Sequence, residues 1–226
     1  YTTVSRRCAR LLPRIQKAIR QQCSKGPVNL ALDGTGLKIS GHGEWLYRQH
    51  RPHGRRRWRK LHLAVNSDSS MIESMVMTDC SITDDWVIED LLEPMDDILN
   101  VAADGAYDTR ECYASVLYRD GFPVIIPRKN AALEKKPGSP EALFRNTVIK
   151  QIECYGGGEQ GRKRYKKVAN YHKRSLAETA MFRIKNTFGG HLASRSIDNQ
   201  HAEAALRCKL LNQFTNRGMP KSEKVV

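Results

Sequence analysis

Two periodicities divide the chain into elements. Leu11, Leu12, Ile15 and Ile19 recur at helical spacing around Pro13 and predict a basic helix over residues 1–20. Lys25-Gly26-Pro27 breaks that pattern. The period then falls to two: Val28, Leu30 and Leu32 point one way, Asn29, Ala31 and Asp33 the other, giving a strand that ends in a carboxylate. Gly34-Thr35-Gly36 reads as a turn. Leu61, Leu63 and Val65 alternate with Lys60, His62 and Ala64, and a second strand over 71–78 completes a hairpin spanning 57–78. Thr83-Asp84-Asp85 caps a helix whose buried stripe is Val87, Ile88, Leu91 and Leu92. Residues 98–103 form a strand ending in Asp104, with Asn100, Ala102 and Asp104 on one face. Asp108-Thr109-Arg110-Glu111 has capping-box spacing and opens a short helix to Gly121, followed by a strand over 123–126.

The pattern then changes. Residues 129–170 contain Lys135-Lys136-Pro137-Gly138-Ser139-Pro140 and Gly156-Gly157-Gly158, the composition of an inserted, partly flexible basic segment. After it, Ala177, Ala180, Ile184 and Phe188 share one helical face. Tyr171, Arg174, Glu178 and Lys185 fall within an arc of about 60° beside it. A last helix over 199–214 is expected to bury Ala202, Leu206, Leu210 and Phe214. Strands alternating with helices after an opening antiparallel set predict a mixed α/β sheet with helices on its faces.

Composition adds a partner class. The 226 residues carry 38 Lys and Arg against 24 Asp and Glu, a formal net charge of +14, which favours a nucleic acid. Six of the ten residues at 51–60 are Lys or Arg; Arg55, Arg56, Arg57, Arg59 and Lys60 lead into the hairpin as a cationic ridge. Arg162, Lys163, Arg164, Lys166 and Lys167 flank Tyr165 just ahead of the helix of Glu178, placed to hold DNA. No apolar run reaches the ~20 residues of a membrane span, and no secretory leader is visible. The six cysteines form no C-x-x-C pair, as expected of reduced thiols in a cytosolic protein. His50 and His53 have ligand-like spacing but no neighbouring ligands. Asp33, Asp104 and Glu178, on so basic a chain, suggest a metal site that works on nucleic acid. Asp84 and Asp85 are second candidates as ligands, since a helix start already explains them.

Several stretches together resemble the DDE transposases of bacterial insertion sequences. They are Asp33-Gly-Thr-Gly-Leu-Lys, Gly43-Glu44-Trp45, Arg57-Trp-Arg-Lys-Leu-His-Leu-Ala-Val65, Ala103-Asp-Gly-Ala-Tyr-Asp-Thr109 and Ile126-Pro-Arg-Lys129. Tyr171, Arg174, Glu178 and Lys185 match that group's pattern of Tyr, two residues, Arg, three residues, Glu, six residues, Lys. The resemblance implies a ribonuclease H-like catalytic core over residues 28–220, with Asp33, Asp104 and Glu178 as the triad holding Mg²⁺ or Mn²⁺, two ions in all. It implies double-stranded DNA as partner, both terminal inverted repeats and target, and a homo-oligomeric synaptic complex in a bacterial cytoplasm, associated with the nucleoid. Tyr171, Arg174 and Lys185 are expected to serve DNA binding. Residues 1–27 are expected to be a linker left from an N-terminal DNA-binding region, the chain being a truncated copy, and residues 221–226 a tail.

The expected chemistry is phosphoryl transfer: water frees a 3′-hydroxyl at the element's end, and that hydroxyl attacks target DNA. Hard divalent ions prefer carboxylate oxygen, which is why Asp and Glu are wanted here. The rivals are a metal-dependent nuclease without strand transfer, a non-catalytic DNA-binding relic and, more distantly, a basic RNA-binding protein.

Overall fold

The computed structural model describes residues 2–22, 25–39 and 58–218. Arg55, Arg56 and Arg57, the His50/His53 pair and Gly43-Glu44-Trp45 lie outside the described residues. The strands are β1 Val28–Ile39, β2 Trp58–Asn66, β3 Ile72–Asp79, β4 Ile98–Ala103, β5 Phe122–Ile125 and β6 His191–Leu192. The helices are α1 Thr2–Gln22, α2 Ile88–Leu92, α3 Arg110–Leu117, α4 Pro140–Cys154, α5 Gly158–Val168, α6 Ser175–Phe188 and α7 Ile197–Asn216.

The sheet runs β3-β2-β1-β4-β5. The first three strands form an antiparallel meander, and β4 and β5 lie parallel to β1. β6 joins β1 late, at Lys38 and Ile39, beyond the point where β4 has stopped. This mixed sheet flanked by helices is the ribonuclease H-like α/β arrangement the resemblance implies.

The alternation in β1 sorts its side chains into two cores. Val28, Leu30 and Leu32 join α2, α3 and β4 on one face. Ala31 and Leu37 join Leu61, Leu63 and Val65 of β2 under α1, α6 and α7 on the other. Asp33 shares the parity of Ala31 and therefore faces α6. Ile15 and Ile19 of α1 are buried in that same core, so α1 packs on the sheet beside α7.

Residues 129–170 differ from the flexible segment their composition suggests. They hold two helices, α4 and α5, whose Val148, Ile152 and Tyr165 form a third core with Ile126. Gly156, Gly157 and Gly158 all have positive φ (110°, 63° and 48°), so the glycine run is the turn between two helices and not a loose linker.

The buried face of α7 is also displaced from the expected one. Ala202 is buried as expected, but Leu206 and Phe214 are 43% and 42% exposed, and the contact face is Ala204, Ala205, Cys208 and Leu211. Polar residues on that face mask it in the sequence. Asn212 is fully buried and clamps the β3 backbone: the Ile72 N–H donates to its Oδ1 at 2.8 Å, and its Nδ2 donates to the Ile72 carbonyl at 2.8 Å. Asn212→Ala removes both bonds from buried peptide groups and should cost about 2–4 kcal/mol, read by urea unfolding.

Candidate active site

Asp33 and Asp104 meet because β1 and β4 are parallel and in register. Asn29 pairs with Asn100 and Ala31 with Ala102; two residues further on each chain come the two aspartates, on the same face. Each is fixed by the backbone after it. The Gly34 N–H donates to Asp33 Oδ1 at 2.9 Å. Asp104 caps the 3₁₀ turn Gly105–Tyr107, its Oδ1 accepting the Ala106 N–H at 2.8 Å.

Glu178 arrives from above. Ala177, Ala180, Met181 and Ile184 seat α6 in the core, leaving Glu178 in the first turn at the rim. Tyr171 and Arg174 are not on the helix itself, as the spacing suggests, but in a 3₁₀ turn, Tyr171–Arg174, that precedes it. Arg174 Nη2 donates to Glu178 Oε1, and its Nη1 lies 3.6 Å from Asp33 Oδ2. One guanidinium thus spans two of the three acids, 5.8 Å from the centre of the Tyr171 ring. Burial pushes the Asp33 carboxyl above its ordinary value; the Gly34 N–H and Arg174 oppose that shift, while Asp104 and Glu178 add to it. Asp33 therefore feels both other acids. Burial likewise raises the Tyr171 phenol, with Arg174 opposing.

A polar ladder ties this turn to the sheet. Lys173 Nζ donates to Asp68 Oδ1 at 2.8 Å, Asn29 Nδ2 to Asp68 Oδ2 at 2.7 Å, and Asn100 Nδ2 to Asn29 Oδ1 at 2.6 Å. Asp68 lies in the β2–β3 turn, so the hairpin reaches over to hold the residue beside Arg174. The bond from Asn29 and then Lys173 keep the Asp68 carboxyl below its usual range.

Asp84 is on the other face of the sheet from Asp33. It opens the 3₁₀ turn Asp84–Val87, where Thr83 is the N-cap without a side-chain bond. Its Oδ1 is 3.3 Å from Lys60 Nζ and 3.1 Å from His62 Nδ1, the latter too bent to count as an aligned hydrogen bond. The His62 ring and then Lys60 hold Asp84 below the usual carboxylate range. Tyr107 closes this region; its hydroxyl is buried with no hydrogen-bond partner among the described residues, and burial followed by the charge of Asp84 drives its pKa well up.

The basic candidates separate by what already holds them. Arg59 faces α7, pairing with Asp79 and donating to Gln200 Oε1 at 3.0 Å. Lys60 faces the other way, onto Asp84 and the Ile82 carbonyl. On α5, Lys163 pairs with Glu159, Arg164 donates to the Tyr155 carbonyl, and Lys166 stands 5.1 Å from the centre of the Tyr171 ring. Lys163, Arg164 and Lys167 are exposed, whereas Arg162 is half-buried. Tyr165, the aromatic among them, is 3% exposed and belongs to the core. Lys185 is half-buried in the last turn of α6.

Arg145 is a site-supporting residue the sequence reading missed. Its Nε and Nη2 grip the buried carboxylate of Asp108 at 2.7 and 3.1 Å. Asp108 Oδ2 also accepts the Arg128 N–H at 2.9 Å, and the Arg128 side chain donates to the Gly105 carbonyl at 3.0 Å, within the turn that Asp104 caps. The helix cap itself is Thr109, whose hydroxyl accepts the Cys112 N–H at 3.3 Å. Nothing in the local pattern announces a partner 37 residues away.

Among the described residues no three His, Cys, Asp or Glu side chains form a closed metal-binding cluster. The triad nevertheless suits a hard divalent cation in kind. Its donors are carboxylate oxygens, and a cationic group already lies between two of them. None of the described helices is long and apolar enough to cross a membrane. A family model described as a transposase DDE domain matches residues 24–213.

Proposed function

The chain belongs to the DDE-domain transposases, and on that premise we propose that Asp33, Asp104 and Glu178 form its catalytic centre for DNA cleavage at element ends and strand transfer into target. Transposase function in general follows from the family, and DNA as partner with it. The observation that carries the finer reading is Arg174, which spans Asp33 and Glu178 while Asp33 senses Asp104 from the neighbouring strand.

Divalent metal, Mg²⁺ or Mn²⁺ and two ions, would be held by the three carboxylates and would activate the attacking oxygen and stabilise the leaving one. The protein's own groups do the rest. The Gly34 and Ala106 N–H groups fix the aspartate rotamers. Arg174 orients Glu178 and offers its remaining donors to a phosphate. Tyr171, stacked beneath Arg174 and Lys166, sets the angle at which both cations face the strand. Lys185 adds charge further along α6. Arg162, Lys163, Arg164, Lys166 and Lys167 form the track that leads DNA to the acids; Arg59 and Lys60 face away from it, held by Asp79 and Gln200 and by Asp84. The working state is a synaptic multimer of the core over residues 28–220, on which α1 packs through Ile15 and Ile19.

The test is an assay with labelled element ends and a supercoiled plasmid in Mg²⁺. Joined product supports the reading. Cleavage without joining supports a nuclease on the same scaffold, and DNA binding alone a relic. The α5 track has its own check: Lys163→Gln with Lys167→Gln should lower the slope of log Kd against log salt by about 1–2, as two phosphate contacts are lost.

A further inference from the structure

The residue that follows Asp33 is pinned from behind. Gly34 pairs across the sheet with His62, and its α-carbon faces the side opposite the triad. Asp84 presses on it there: a methyl group at position 34 would stand 2.5 Å from Asp84 Oδ1 and 3.2 Å from His62 Nδ1. Asp84 has little room to yield. His62 is fully buried beside it and is held at Nε2 by Thr78 Oγ1 at 2.9 Å. Lys60 Nζ bridges Asp84 Oδ1 and the Ile82 carbonyl.

We propose that Asp84 is a positioning residue of the active site: wedged by His62 and Lys60 against Gly34, it fixes the peptide whose N–H aims the Asp33 carboxylate at a divalent cation. The proposal rests on Asp33 being a metal ligand. Asp84 reaches neither cation nor DNA strand; it acts through one peptide, from the far face of the sheet. A carboxylate is the fitting side chain, because one oxygen meets an imidazole nitrogen and an ammonium group at once. Glycine at 34 is required by this close approach and not by its backbone angles, since its φ is not positive. Groups that orient a metal's ligands without touching the metal commonly change its affinity by about 10–100-fold when removed.

The experiment is calorimetric titration of Mn²⁺ into the full chain, with thermal unfolding recorded on the same samples. Asp84→Ala should weaken Mn²⁺ binding by about 10-fold. Asp84→Asn keeps an oxygen acceptor of the same size and should stay within about threefold of the parent. Gly34→Ala should also weaken binding, and the double variant Gly34→Ala/Asp84→Ala should be no worse than the poorer single one, since the methyl group occupies the space the carboxylate left. Variants that unfold at lower temperature yet bind Mn²⁺ like the parent would show a purely structural role and overturn the proposal. If Asp84→Ala does not fold, parental affinity in Gly34→Ala overturns it equally. Asp33→Asn separates the two readings. Loss of Mn²⁺ binding there with no effect at Asp84 defeats the positioning role alone. Unchanged binding in Asp33→Asn defeats the metal site and the positioning role together.

Discussion

Asp33→Asn should reduce metal-dependent DNA nicking by about 10³-fold or more and, at neutral pH without metal, raise the melting temperature. The two effects share a cause. Burial, with Asp104 and Glu178 nearby, raises the Asp33 pKa in the folded chain despite the Gly34 N–H and Arg174. A group whose folded pKa is raised contributes stability below its unfolded pKa and loses it as pH climbs through the folded value. At pH 7 the ionised Asp33 is therefore a net cost, which the neutral amide removes. The gain should shrink as pH falls through the ordinary carboxylate range, where Asp33 is protonated in both states. Thermal unfolding from pH 3 to pH 8, run beside nicking in Mg²⁺, checks both halves. A melting temperature that falls at pH 7 would mean that Arg174 needs Asp33 more than Asp33 suffers from its neighbours.

Arg145→Met should destabilise the chain by about 3–5 kcal/mol, because it leaves Asp108 as a buried charge without its cation. Asp108 has a side chain only 1% exposed and, among the described residues, keeps the Arg128 N–H and the Tyr113 hydroxyl, at 2.9 and 3.4 Å. At this chain length the fall in melting temperature is roughly 10 °C. Asp108→Asn in the same chain should recover part of the loss, since no unpaired charge then remains. Urea unfolding of the single and double variants measures the coupling. The Asp104 turn should loosen as well, because Arg128 braces it from the Gly105 carbonyl.

These two predictions fall on opposite sides of what the sequence displays. Asp33 and Asp104 were legible because strands repeat every two residues. Once Leu30 and Leu32 are assigned inward, the face of Asp33 follows, and a short apolar run ending in Asp-Gly puts Asp104 at a strand end; Asp33 differs, because Gly34-Thr35-Gly36 continues β1 to Ile39 instead of turning. Glu178 was legible from its helical offset to Ala177, Ala180 and Ile184. Arg145 was not, since an ion pair across 37 residues has no periodicity. The face of α7 was hidden because Asn212 is buried to bond a backbone, so burial there does not follow hydropathy. The helices within 129–170 were obscured by glycine and lysine, although α4 buries Ala142, Val148, Ile149 and Ile152.

The late arrival of β6 leaves β1 with a bare margin. On that margin the last β4 partner is Ala31 and the first β6 partner is Lys38, so among the described residues no strand adjoins β1 between them. The gap begins at the residues flanking Asp33 and runs past Gly34 and Gly36. If Asp33 is a metal ligand as proposed, a phosphodiester approaching it along this margin would displace no ladder hydrogen bond. On that reading substrate entry and sheet integrity are uncoupled, along a seam that no described strand closes.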